Sequence, residues 1–324
     1  MKRRIVILAL VLSLLFTGCN SVKNSDYIKV GVSKDSIPGI DTSLLLADAM
    51  GDDICVVDAS TVVNDGDTSI NIGAGLLFNI SDNTILYNKN IFKRMYPAST
   101  TKVLTAYCAI KYGKLYGIDF SKEIKVSGCV NNMVAGAKLS GLYEGDVLTL
   151  RDIMYCTLLE SVNDAALILA KNIAGSVDEF VKLMNEEAKR IGATNSHFVN
   201  PHGLFEEEHY TTAYDLYLIF NEAVKLPEFV EYINTDTYSF KYTTASGVIR
   251  NRIVTATNQY ISGKSTPPDG VTVVGGKTGF EDLAGRCLVI LSRKNDKEYI
   301  SIVLNANSTA ELYENMNKLL SKEE

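Results

Sequence analysis

Hydrophobic and polar positions change their spacing twice along the chain, dividing it into strand-rich ends around a helical middle. Gly75-Leu76-Leu77-Phe78-Asn79-Ile80, a turn at Ser81-Asp82-Asn83 and Thr84-Ile85-Leu86-Tyr87-Asn88 predict the first hairpin, because apolar runs flank turn-forming residues. After Pro97, the side chains of Val103, Leu104, Tyr107 and Ile110 fall at helical spacing. They predict a helix opening at Ala98-Ser99-Thr100-Thr101-Lys102 and ending near Gly113. Further helices are predicted over 150–159 behind a Thr149-x-x-Asp152 cap, over 164–173, from a Ser176-x-x-Glu179 box to Gly192, and from Thr212-x-x-Asp215 to a stop before Pro227. Strand character returns over 271–274, 287–291 and 299–304, and residues 309–320 read as a closing helix. Strands at both ends with helices between them predict an α+β fold in which the chain's ends meet in one antiparallel sheet.

The first residues follow a different logic. Lys2-Arg3-Arg4 precede an apolar run over 5–12, resumed by Leu14-Leu15-Phe16 and closed by the small residues Thr17-Gly18 before Cys19. That is the pattern of a secretory leader, and the run is short for a membrane span. Phe16-Thr17-Gly18-Cys19 resembles a bacterial lipoprotein cleavage box, although Phe16 replaces the usual aliphatic residue. Residues 1–18 are therefore expected to be removed, and Cys19 to become a lipid-modified N-terminus holding the protein outside the cytoplasm, at the cell membrane. Residues 19–72 read as a tether and a segment of unassigned role, with a short helix over 44–50 and a strand at Ile54-Cys55-Val56-Val57, and residues 73–324 as the catalytic domain.

Composition narrows the function. With 324 residues, 46% hydrophobic and 22% charged, the chain is of globular type, and a net charge of −6 argues against nucleic acid held on a basic surface. Histidine occurs only at 197, 202 and 209, which disfavours chemistry built on several imidazoles. Beyond Cys19 the cysteines are Cys55, Cys108, Cys129, Cys156 and Cys287, an odd number with no C-x-x-C pair, so neither a disulfide framework nor a metal site is expected.

Ser99-Thr100-Thr101-Lys102 is the single S-x-x-K, and helical residues three apart share a face, so the amine reaches the hydroxyl. A lysine at its free pKa of ~10.4 is a poor base, so the site must desolvate Lys102 or set a cation beside it, for which Lys277 is a candidate. Ser161-Val162-Asn163 lies between two apolar helices, placed to face Ser99 and Lys102 from an opposing wall. Lys277-Thr278-Gly279 follows an apolar strand and Gly275-Gly276, and an edge strand of this kind pairs with an extended peptide. Taken singly, each is also what a cap or turn produces. Ser81-Asp82-Asn83 fits S-x-N too, but reads as a hairpin turn.

In this order the three motifs resemble those of penicillin-binding proteins and class A β-lactamases. The wording is most similar to the serine D-alanyl-D-alanine carboxypeptidases, low-molecular-mass penicillin-binding proteins of peptidase family S11. The resemblance runs over 74–304, through Pro97-Ala98-Ser99-Thr100-Thr101-Lys102, Ser161-Val162-Asn163-Asp164-Ala165-Ala166, Asn200-Pro201-His202-Gly203-Leu204 and Lys277-Thr278-Gly279-Phe280. It implies a β-lactamase/transpeptidase-like fold with a central helical subdomain. Ser99 would be the nucleophile and Lys102 its base, with Ser161 relaying a proton and Asn163 orienting Lys102 and the substrate. Lys277, Thr278 and Gly279 would bind a stem peptide ending in D-Ala-D-Ala, and the backbone N–H groups of Ser99 and Phe280 would form the oxyanion hole. It also implies β-lactams as covalent inhibitors and no metal or cofactor.

Val162 departs from the small residue usual between Ser and Asn. The chain ends soon after its last helix, without the additional β-rich domain of many such proteins, so anchorage is expected from the N-terminal lipid. His202 is expected to be a loop residue, since no G-x-S-x-G elbow accompanies it. A transpeptidase, an endopeptidase, a β-lactamase and a noncatalytic wall-binding lipoprotein remain as alternatives. No E-x-x-x-N of class A type follows Ser161, which weighs against the β-lactamase.

Overall fold

The computed structural model describes residues 68–127, 133 and 136–324. The leader, Cys19, the tether up to residue 67, the helix over 44–50, the strand over 54–57, Cys55 and Cys129 lie outside the described residues.

Nine strands are present among the described residues: β1 (Ala74–Asn79), β2 (Thr84–Lys89), β3 (Glu123–Lys125), β4 (Val147–Thr149), β5 (Thr237–Thr243), β6 (Ile249–Thr255), β7 (Thr272–Glu281), β8 (Gly285–Lys294) and β9 (Lys297–Ala306). Five of them form one antiparallel sheet in the order β2-β1-β9-β8-β7. β1 lies against β9 with Leu76 opposite Ile302 and Ala74 opposite Leu304, so the two ends of the described chain do meet in one sheet. Strand alternation decides what each face buries. Leu76, Phe78, Val289, Ile300 and Ile302 join the larger core, whereas Leu77, Leu288, Ile290 and Val303 turn to the opposite face.

The larger core is completed by α1 (Lys102–Leu115), α2 (Leu150–Tyr155), α3 (Asn163–Ala174), α4 (Val177–Arg190), α5 (Ala213–Val224) and α6 (Pro227–Asn234). α1 is buried along almost its whole length, because apolar or small side chains occupy nearly every position. The opposite sheet face is covered by α7 (Thr309–Leu320), which contributes Leu312, Met316, Leu319 and Leu320. α2, α4, α5 and α7 begin behind caps whose side chains accept from the backbone, at Thr149, Ser176, Thr212 and Ser308.

Three of the differences from the pattern-based expectation bear on the site. A second sheet, β3-β4-β5-β6, flanks the helices; β3 and β4 have three residues each, too few for alternation to register. The helix expected over 150–159 is α-helical only to Tyr155 and continues as a π-helical turn over Cys156–Glu160, delivering Ser161 in a left-handed conformation at φ +65°. The strand expected over 271–274 continues through Lys277-Thr278-Gly279 to Glu281, which places that motif within an edge strand instead of behind one.

Candidate active site

Ser99 lies in a 3-10 turn, Ala98–Thr101, that runs directly into α1, whose first residue is Lys102. That junction puts Lys102 Nζ 2.8 Å from Ser99 Oγ. Lys102 is completely buried, and its other partners are Asn163 Oδ1 at 2.8 Å and the His202 carbonyl at 2.6 Å. None of the three is a carboxylate. Burial therefore brings the Lys102 amine down to about 7; Glu281 and Asp164 oppose that shift, and Lys138 reinforces it.

The second lysine is also fully buried. Lys277 Nζ lies 2.7 Å from Ser161 Oγ and 2.8 Å from its neighbour's carbonyl, Thr278 O. Burial, then repulsion from Lys102 and Lys138, holds it well below the ordinary lysine range. The sequence offered Lys277 as the cation pressing on Lys102. The two amines do repel one another, but burial is the larger cause, and Lys138, for which no motif gave a signal, presses on both. Ser161 and Asn163 divide between the two amines: Asn163 reaches Lys102, and Ser161 reaches Lys277.

The opposing wall is locked from behind. Asp164 accepts from Ser140 N at 2.8 Å and Ser140 Oγ at 2.5 Å, and the Lys138 carbonyl accepts from Asn163 N at 2.9 Å. Arg252 on β6 donates to the Ser140 carbonyl and to Glu160 at 2.6 Å, so the second sheet braces both the segment over the cleft and the π turn before Ser161. Glu160 pairs with Arg252 at the last position of that turn.

Gly279 shows how closely β7 approaches Ser99: a Cβ there would stand 3.0 Å from Pro97 O and 3.1 Å from Ser99 N. Thr278 Oγ1 is 2.7 Å from Thr257 Oγ1, and the exposed Phe280 ring carries the Arg286 guanidinium 3.4 Å above its centroid. A cleft of about 570 Å³ opens here, lined by Ser99, Ser161, Asn163, Thr278 and Phe280 among others, with both lysines beneath its walls. Thr257 and Gln259 also line it, from a loop whose sequence carried no recognisable signal.

His202 contributes its backbone carbonyl to Lys102, while its ring Nδ1 accepts from Leu204 N at 3.1 Å. Burial lowers its pKa to about 3, and the nearby Lys102 and His209 add to this, so the ring is neutral. Ser81-Asp82-Asn83 sits in the β1–β2 turn, where Ser81 Oγ accepts from Glu298 N.

Comparison with known proteins gives a consistent picture. The D-alanyl-D-alanine carboxypeptidase family profile, peptidase S11, matches residues 60–308. D-alanyl-D-alanine carboxypeptidase DacF of Bacillus subtilis (strain 168) is 33% identical over 242 residues, 73% of this chain and 58% of that protein. DacC of Escherichia coli (strain K12) is 29% identical over 260 residues, 78% of this chain and 61% of that protein. This chain thus spans about three-fifths of the length of these curated relatives. The Streptomyces K15 DD-transpeptidase superposes with a TM-score of 0.71 at 27% identity, covering 81% of this chain and 98% of its own. Penicillin-Binding Protein D2 from Listeria monocytogenes, in a cefotaxime-bound form, gives 0.64 at 25% identity over 78% of this chain and 96% of its own. On the extent of the profile match and the shared α+β fold, the chain belongs to the D-alanyl-D-alanine carboxypeptidase family, peptidase S11.

Proposed function

We propose that the chain is a penicillin-binding serine carboxypeptidase that removes the terminal D-alanine from peptidoglycan stem peptides through an acyl-enzyme on Ser99. The observation that carries this reading is Lys102 Nζ at 2.8 Å from Ser99 Oγ on an amine brought to about 7. A general base must lie within hydrogen-bond reach and titrate near the working pH. Lys102 takes the Ser99 proton as Oγ bonds to the carbonyl carbon of the D-Ala-D-Ala amide. The resulting oxyanion collapses, the C–N bond breaks, and the leaving amine receives a proton through Ser161. Water then attacks the ester and releases Ser99.

The N–H groups of Ser99 and Phe280 are the oxyanion donors in this reading, supported by the close approach of Gly279 to Ser99 N. One such donor is worth ~3 kcal/mol in other enzymes. Asn163 positions Lys102. Thr278 and Gly279, on the open edge of β7 with Lys277 behind them, receive the substrate's C-terminal carboxylate. A transpeptidase would pass the same acyl group to an amine, and the likeness to the Streptomyces enzyme is the observation favouring that second reading. Hydrolysis and transfer products in the presence of an acceptor amine separate the two.

Labelled penicillin should give a stable adduct mapped to Ser99, absent in Ser99→Ala. An adduct on another residue, or none on folded protein, rejects the mechanism. Export and lipid anchorage at Cys19 rest on the leader pattern alone. Cys19→Ala should release the protein from membranes, and an unmodified wild-type N-terminus elsewhere rejects the anchor.

A further inference from the structure

The backbone that carries Ser99 is held in a conformation its own sequence disfavours. Ala98 has φ +47°, a left-handed geometry that side chains with a Cβ avoid and that persists only where the surroundings impose it. Two contacts converge on its carbonyl oxygen. Gly203 stands so close that a Cβ on it would lie 1.9 Å from Ala98 O, and Thr101 Oγ1 donates to the same oxygen at 2.8 Å.

Behind Thr101 lies His209, with Nε2 2.8 Å from Thr101 Oγ1. The direction of this bond follows from the other side of the ring. Val199 N–H donates to His209 Nδ1 at 3.1 Å, so Nδ1 is the bare nitrogen and Nε2 carries the proton. Nε2–H therefore donates to Thr101 Oγ1, whose own hydrogen is committed to Ala98 O. Both side chains are buried. Burial, with His197 and Lys102 nearby, lowers the His209 pKa to about 3, so the ring keeps the neutral form in which Nδ1 accepts.

The Ala98 carbonyl and the Ser99 N–H belong to one rigid peptide plane, so a contact that orients the first orients the second. We infer that His209 is a positioning residue: through Thr101 and the Ala98 carbonyl, it aims the Ser99 N–H at the developing oxyanion. This rests on the carboxypeptidase reading for its consequence, though not for its geometry. The alternative is that His209 merely fills space against Phe198, whose ring meets it edge-on at 5.5 Å.

The experiment combines penicillin acylation kinetics with deuterium exchange over residues 97–102, using the full chain. His209→Phe keeps a ring but loses the donor, while His209→Gln keeps an N–H near the Nε2 position. Thr101→Val and Thr101→Ser form a second pair, should the histidine variants fold poorly. Loss of a single oxyanion donor costs 10²–10³ in rate in other enzymes, so a misaimed one should slow acylation at least about tenfold. His209→Phe and Thr101→Val should show that loss with faster exchange over 97–102, and His209→Gln and Thr101→Ser should recover most of both.

Wild-type acylation and exchange in His209→Phe and Thr101→Val overturn the inference, as does equal loss in His209→Phe and His209→Gln. If the wild type takes no label while exchange rises in His209→Phe and not in His209→Gln, the carboxypeptidase reading falls and the positioning chain stands.

Discussion

Helix α1 carries buried charge chemistry at both ends, with opposite outcomes. At its start Lys102 is enclosed by a hydroxyl, an amide and a carbonyl, with no carboxylate in contact, and its amine falls to about 7. Toward its end Lys111 lies 2.8 Å from Glu187, which also receives Arg190 at 2.7 Å and the Tyr112 hydroxyl at 2.7 Å. Burial pushes the Glu187 carboxyl up, yet those three donors outweigh it and leave its pKa below the usual value. Both sites are dry. The partner's charge, more than the depth, decides whether a buried ionisable group is kept charged or held near its titration point. The Glu187 cluster ties α4 to α1 as structure, while Lys102 holds a proton equilibrium open, a state useful to a base and costly to the fold.

The largest effect should come from abolishing the open site. Lys102→Met should cut penicillin acylation by about 10²–10⁴, the usual range for a general base, with no large fall in Tm, because the loss of three hydrogen bonds is offset by replacing a desolvated amine with an apolar side chain of similar length. Stopped-flow acylation and thermal unfolding of the same preparation test this. Unchanged acylation removes Lys102 from the mechanism, and a large fall in Tm contradicts the contrast drawn between the sites.

Next in size is the closed site. Glu187→Gln strips the carboxylate from two cations and should cost about 3 kcal/mol of stability, toward the lower end for breaking a buried pair, since Lys111 and Arg190 retain some exposure. Acylation per folded molecule should stay within about twofold, because this cluster touches none of the cleft residues. The Glu187 pKa is lower folded than unfolded, so its contribution is present above the ordinary carboxylate pKa and fades as pH drops through the folded value. Urea titrations of both proteins at pH 7 and pH 4 measure this, and equal stabilities at pH 7 would reject the structural role.

What the sequence made legible differs between these regions for a physical reason. S-x-x-K, S-x-N and K-T-G could be read because the chemistry proposed for them demands particular residue types at fixed spacing. Three of the four helix caps, at Thr149, Ser176 and Thr212, could be read because each is a local hydrogen bond. Lys138 was not legible: it acts through a field and a backbone contact to Asn163, neither of which leaves a motif. Nor was the strand through Gly275-Gly276, since glycine weakens strand propensity. Here close packing requires it, as a Cβ at Gly275 would stand 2.6 Å from Ile233 O and one at Gly276 2.2 Å from Val289 O. Arg252 illustrates the same limit. Its value lies in reaching Ser140 and Glu160 from a strand distant in sequence, and only the folded chain brings those three together.

The smallest expected effects are also the most diagnostic, because they carry a sign. If Lys102 is the base, wild-type acylation should rise with pH through an apparent midpoint near 7 and level off once the amine is deprotonated. Glu281 pulls the Lys102 pKa up and Lys138 pushes it down. Glu281→Gln should therefore move the midpoint to lower pH, and Lys138→Met should move it higher. Both displacements should shrink in ~1 M salt, where the Debye length is ~3 Å, to the extent that these charges act through solvent. The stability counterpart has a definite direction too. Between about 7 and the ordinary lysine value of 10.5, the unfolded chain holds a proton that folded Lys102 has released, so this residue makes stability rise with pH across that window, and Lys102→Met should remove its share of the slope. Midpoints that shift the same way in both charge variants would mean that the titrating group is not Lys102.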